Sequence, residues 1–169
     1  MNPENRNDFL SFVLHRNQCE WKYFFSQAGL CCVPAGKYYL YYLAEVKQRH
    51  VKGIRKLGGT KNGHLAPGDV SHDIQETNHG RTYPSFLHKM FLEEIYKIAY
   101  TWALDDLALY KNISSLFPEN NNAGLFRLMK HFAEDFLYEV KAGYILIRRA
   151  MSGGAGNMIQ ETIYPKKVA

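Results

Sequence analysis

The chain has 169 residues, enough for one domain with a sizeable core. With 46% hydrophobic and 22% charged residues it has the balance of a globular protein, and no apolar run approaches the roughly 20 residues of a membrane span. The net charge of +5 comes without a nucleic-acid motif; the densest basic run, Lys47 to Lys56, reads as the solvated last turns of a helix, where cations suit the dipole. Neither nucleic acid nor a membrane is therefore expected as a partner. Cys19, Cys31 and Cys32 form no disulfide framework and have no zinc-finger spacing, which points to a reducing, cytoplasmic setting. Met1 to Asp8 is polar and Phe9 to Leu14 is too short for the apolar region of a secretory leader.

Four helices are predicted in chain order. The first runs from about Asp8 to Cys31, with Asn7 or Asp8 at its cap and a seam of Leu10, Leu14, Asn17, Trp21, Phe24, Ala28 and Cys31 spaced alternately by four and three. The second opens at Pro34 and ends near Leu57, before Gly58 and Gly59; its seam is Gly36, Leu40, Leu43, Lys47, His50, Ile54 and Leu57. A polar stretch over 58–83 has no usable periodicity and reads as a crossover. Pro84 then opens a third helix to about Asn112, with seam Phe91, Ile95, Ile98, Trp102, Asp105, Leu109 and Asn112. After the break at 118–122, a fourth helix spans Ala123 to Met151, with seam Leu125, Leu128, Phe132, Asp135, Glu139, Ala142 and Leu146, and residues 152–169 form a tail. Short turns within each helix pair and one long connection between the pairs give an all-α, ferritin-like four-helix bundle over residues 1–151.

Each seam turns polar near its middle. The first helix offers Asn17, the second Lys47 and His50, the third Asp105, and the fourth Asp135 and Glu139. Charges at such positions are costly unless paired or metal-bound, so their common level marks a site.

The residues Trp21 to Ala28, followed by Ala44-Glu45 through His50-Val51-Lys52, resemble the first half of a rubrerythrin-type ferritin-like domain. Asp105 to Tyr110 and Phe132 to Asp135 are similar to the second half in a looser way. The resemblance implies a di-metal centre built from carboxylates and two Glu-x-x-His motifs, and oxidative-stress or iron-related redox chemistry. Carried over residue by residue, it is incomplete. The first-helix acid falls on or near Leu14, with Glu20 almost two turns further on. The second-helix Glu-x-x-His falls on Lys47 and His50. The third-helix acid falls nearest Asp105 or Asp106, with Glu94 a level away. The fourth-helix motif falls on Phe136 and Glu139, beside Asp135. The rubredoxin-like cysteine pairs of true rubrerythrins are absent.

Three readings follow. In one, Lys47 is a core cation that stands where relatives hold metal, and neutralises Asp105, Asp135 or Glu139. In another, iron or another divalent metal is held by His50, Asp105, Asp135 and Glu139, with Lys47 swung outward and Glu20 and Glu94 as further candidates. In the third, the helix phase is shifted by one residue. The matching functions are a redox protein with a remnant or altered metal site, or a metal-free binding or assembly module with no cofactor. Tyr38, Tyr39, Tyr41 and Tyr42 cannot all face one core, which suggests a second interface and a homodimer. Weaker candidates are His72, Glu76 and His79 in the crossover, the Cys31-Cys32 pair, and a His131, Glu134, Asp135 group. For these a polar loop, inert thiols and a solvated helix face are the plainer readings.

Overall fold

The computed structural model describes residues 6–57, 91–116 and 123–152. These form four helices, α1 (Arg6–Leu30), α2 (Pro34–Leu57), α3 (Leu92–Leu116) and α4 (Ala123–Ser152), with no strand among the described residues. The expected crossover at 58–83, the opening of the third helix at Pro84, and the tail beyond Ser152 lie outside the described residues.

Local chemistry sets the helix ends. Cys31 N–H donates to the Gln27 carbonyl at 2.9 Å and closes the last turn of α1. The Val33 carbonyl accepts from Lys37 N–H at 2.9 Å, and Pro34 occupies the first position of α2, where no intrahelical donor is needed. Arg55 and Lys56 sit in the last turn of α2, and Arg6 Nη2 donates to the Leu57 carbonyl at 2.8 Å. At the start of α3, Phe91 N–H donates to Glu94 Oε2 at 3.0 Å while the Phe91 carbonyl takes the first helical bonds, an arrangement of the capping-box kind.

Contacts along the helices give their directions. Phe25 meets Tyr41 at one end of α1 and α2, and Arg6 meets Leu57 at the other, so this pair is antiparallel. Tyr39 against Tyr144 and His50 against Phe132 make α2 and α4 antiparallel. Tyr96 against Tyr144 and Lys141 over Tyr100 do the same for α3 and α4. Tyr23 against Trp102 and Phe9 against Tyr110 set α1 antiparallel to α3. Helices α2 and α3 therefore run in the same direction.

The core has two apolar bodies. One gathers Phe24, Leu40, Leu43, Ile95, Trp102, Phe136, Val140 and Ile147 toward the α1–α2 turn. The other gathers Phe9, Leu10, Val13, Leu14, Ile54, Tyr110, Phe126 and Met129 toward the opposite end. Between them lies a buried polar layer of Arg16, Asn17, Glu20, Lys47, His50 and Asp106.

The expected seams of α1 and α2 match the buried faces except that Glu20, and not Trp21, is buried on α1 and Leu57 is only partly buried on α2. Those of α3 and α4 need correction. The buried face of α4 is Phe126, Met129, Ala133, Phe136, Val140, Gly143 and Ile147, each one residue beyond the expected seam. On α3, Leu92, Ala99, Asp106, Tyr110 and Ile113 are buried in place of Phe91, Ile98, Asp105, Leu109 and Asn112, while Ile95 and Trp102 stand as expected. The physical reason is the breadth of the apolar arc on α4, where Leu125, Leu128 and Leu146 make either phase plausible by composition. Tertiary fit decides. A Cβ at Gly143 would come within 2.5 Å of the Tyr42 ring and 3.2 Å of Tyr39, so α4 presents a glycine where the α2 tyrosines leave no room for a side chain. Gly143→Ala is expected to destabilise the bundle by about 1–3 kcal/mol through overpacking. Gly29→Ala, with nothing near its Cβ, is expected to be neutral or to stabilise by up to about 1 kcal/mol. Urea denaturation of both variants reads the difference.

Candidate functional site

The polar layer is organised by Lys47. Helix α2 carries this residue on its core face with Leu43, His50 and Ile54, so its side chain has no route to water; it is 1% exposed. Its Nζ lies 2.5 Å from Glu20 Oε2 and 3.3 Å from Asp106 Oδ2, and donates to Asn17 Oδ1 at 3.4 Å. The ammonium also sits 3.7 Å from the centre of the Phe136 ring, a cation–π contact from the fourth helix. A second cation completes the layer: Arg16 Nε donates to Asp106 Oδ1 at 2.7 Å and stands 3.8 Å from Glu20 Oε1. Asn17 is fixed in turn by its Nδ2 donating to the Val13 carbonyl at 2.8 Å.

Two buried cations thus face two buried carboxylates. An isolated ion in this interior would cost several kcal/mol in lost hydration, and mutual pairing offsets that cost. Burial draws the pKa of Lys47 down to about 8, with the nearby Arg16 acting in the same sense and the Asp106 carboxylate opposing it. At neutral pH the ammonium is the prevailing form. A small cavity with room for about one water borders the layer, lined by Asn17, Lys47, His50, Asp106 and Tyr110 on its polar side.

His50 belongs to the rim of the layer. Its Nε2 is 2.9 Å from Asp135 Oδ2, and its ring packs against Phe132 with centroids 4.9 Å apart. Burial and then the Lys47 charge push its pKa down to about 4. The imidazole is therefore neutral at pH 7, and since the carboxylate can only accept, Nε2 carries the proton. Further along the α2–α4 seam, Glu139 accepts from the Tyr42 hydroxyl and from Arg49 Nη2, the latter at 2.9 Å. Burial and the Glu139 contact push the Tyr42 hydroxyl well above the ordinary tyrosine pKa. The Tyr39 hydroxyl donates to the Val140 carbonyl at 2.6 Å.

The residues expected at the site are therefore only partly brought together. Lys47, His50 and Glu20 are buried at the expected level. Asp105 is exposed, and Asp106 holds the position expected of it, because the α3 phase turns by one residue. Asp135 is half exposed and bonds only the outer edge of His50, while Glu139 faces Tyr42 and Arg49. Glu94 caps α3 and lies far from the layer in the chain direction. Leu14 is buried in the lower apolar body, and Phe136, at the position of an expected acid, presents its ring to Lys47. Among the described residues, no three His, Cys, Asp or Glu side chains are arranged to hold a metal ion.

Arg16 is the residue that sequence reasoning missed. Its signal was the Arg16 to Glu20 spacing of four, which puts both on one helix face beside Asn17. The remaining candidates resolve simply. His131 contacts Glu134 at 3.1 Å on an exposed face. Cys31 is buried at the helix turn, with its thiol 3.6 Å from the Val33 carbonyl, and Cys32 is exposed. His72, Glu76 and His79 lie outside the described residues. No family model matches the chain, and comparison with curated proteins and with solved structures finds no significant match.

Two outcomes follow from this geometry. Lys47→Met leaves two buried carboxylates facing Arg16 alone, and is expected to cost about 3–5 kcal/mol in urea denaturation. His50 has a folded pKa near 4 against an ordinary 6.5, so the unfolded chain takes up its proton first as pH falls. Stability should drop between about pH 6.5 and 4, by at most about 3 kcal/mol from this residue. His50→Gln should flatten that part of the stability–pH curve.

Proposed function

We propose that this chain is a ferritin-like bundle in which Lys47 stands in place of the metal charge, and that it acts as a metal-free binding or assembly module. One observation carries the reading: the Lys47 ammonium lies within 2.5 Å of Glu20 and 3.3 Å of Asp106, between two acids that a bundle of this kind would otherwise turn toward a metal. The parallel course of α2 and α3 supports the ferritin-like topology, in which the second and third helices run in the same direction. A cation of fixed position relieves carboxylate repulsion without ligand exchange or redox change, so the layer is suited to holding helices together.

The alternative redox reading asks His50, Asp135 and Glu139 to converge on an ion. Each is turned to other work: His50 to Asp135, Glu139 to Tyr42 and Arg49. Among the described residues no helix is long and apolar enough to cross a membrane, and the three cysteines are free thiols, in keeping with a cytoplasmic protein. The tyrosine cluster divides between two faces. Tyr39 and Tyr42 bond to α4, Tyr38 and Tyr41 are partly buried against the core, and Phe25, edge-on to Tyr41 and 56% exposed, is the aromatic surface this reading gives to a homodimer or another partner.

Elemental analysis after incubation with iron(II), manganese(II) or zinc(II) tests the reading. The native chain should retain no stoichiometric metal, and Lys47→Glu should gain divalent-ion affinity. Stoichiometric metal in the native protein that disappears in His50→Ala would overturn it.

A further inference from the structure

We propose that Lys47 and Asn17 join through an intramolecular isopeptide bond that ties α2 to α1, with Glu20 carrying the protons. The proposal starts from the same ion pair as the reading above, which then describes the chain before the bond forms, since an acylated Lys47 is no longer a cation.

Three groups needed for amide exchange meet in one sealed place. The nucleophile is the Lys47 amine, 3.4 Å from Asn17 Oδ1 and so one bond removed from the carbonyl carbon that its flexible four-carbon stem must reach. The electrophile is the Asn17 side-chain amide, held in orientation by its Nδ2–H bond to the Val13 carbonyl at 2.8 Å. The proton carrier is Glu20, whose Oε2 is 2.5 Å from Nζ and whose side chain is 0% exposed. The Phe136 ring covers the amine at 3.7 Å and shields it from bulk water. Reactants held in a near-attack arrangement reach effective molarities of about 10⁵ M or more, enough to make an otherwise sluggish exchange proceed during the life of the protein.

The step balances without a co-reactant. Glu20 takes a proton from the ammonium, and the freed Nζ lone pair attacks Asn17 Cγ, sending the carbonyl pair to Oδ1. As the carbonyl re-forms, the Cγ–Nδ2 bond breaks, and Nδ2 receives a second proton from Nζ by way of Glu20. Ammonia leaves, a secondary amide remains, and the first proton stays on Glu20. The layer is neutral before and after: Arg16 and Lys47 against Glu20 and Asp106 at first, then Arg16 against Asp106 alone. The cavity that Asn17 and Lys47 both line has room for about one water, which is also the size of the departing ammonia.

Intact-mass spectrometry of the purified full chain under denaturing conditions is the test. The native chain should be lighter than its sequence by one ammonia. Trypsin should then release a branched peptide joining residues 17–22 to 38–49, because an acylated Lys47 is no longer cleaved. Asn17→Ala and Glu20→Gln should each recover the full sequence mass, and Asn17→Asp should lose one water in place of ammonia. A native mass equal to that of the sequence, an ammonia loss confined to an unbranched peptide, loss of water from the native chain, or an undiminished bond in Glu20→Gln would overturn the proposal.

Discussion

A lysine that cannot reach water governs this bundle. Lys47 points inward from α2, and its charge in an apolar interior is tolerable only with acids from other helices beside it. Glu20 on α1 and Asp106 on α3 meet that need, Arg16 balances the second negative charge, and Phe136 on α4 supplies the face of a ring. All four helices are thereby referred to one atom. Apolar packing above and below the layer drives association, yet apolar surfaces accept neighbouring registers with little loss. A charge layer does not: a shift on α3 that brought Leu107 to the place of Asp106 would leave Lys47 with one acid fewer.

The same constraint explains the division of the core. The two apolar bodies each have aromatic interiors of their own, Phe24 with Trp102 in one and Phe9 with Phe126 in the other. They are joined through the layer rather than directly. On the α2–α4 side a second, more exposed line of polar contacts runs from Tyr42 through Glu139 and Arg49 to His50 and Asp135. Gly143 and Gly53 lie under Tyr42 and Phe132 along this line, where the two helices need room for a ring. Being nearer solvent, these outer pairs contribute less per contact than the inner layer.

The most legible level of the fold was the second half of α2, where Leu43, Lys47, His50 and Ile54 share one face and Glu45, Arg49, Lys52 and Arg55 are exposed, so Lys47 and His50 were placed at one buried level from spacing alone. Helix α4 is apolar over a wide arc, and the choice between Asp135 and Phe136 as the inward residue depends on what α2 offers opposite it. That information is not local. Asp105 and Asp106 pose the same problem on α3: adjacent acids of equal composition, distinguished only by which one meets Lys47 and Arg16. The common level of the polar residues was read from the seams, and the chemistry at that level comes from the residues themselves. Arg16 was passed over because an arginine beside a seam ordinarily reaches solvent, and here its carboxylate partners hold it in.

The claim that Lys47 holds the layer through Glu20 is tested most directly by a double-mutant cycle in urea denaturation, using Lys47→Met, Glu20→Gln and the pair together. Direct pairing predicts that the double variant is less destabilised than the sum of the two single changes, by at least about 1 kcal/mol. Additive effects would contradict the account, because they would mean that the two side chains do not depend on each other.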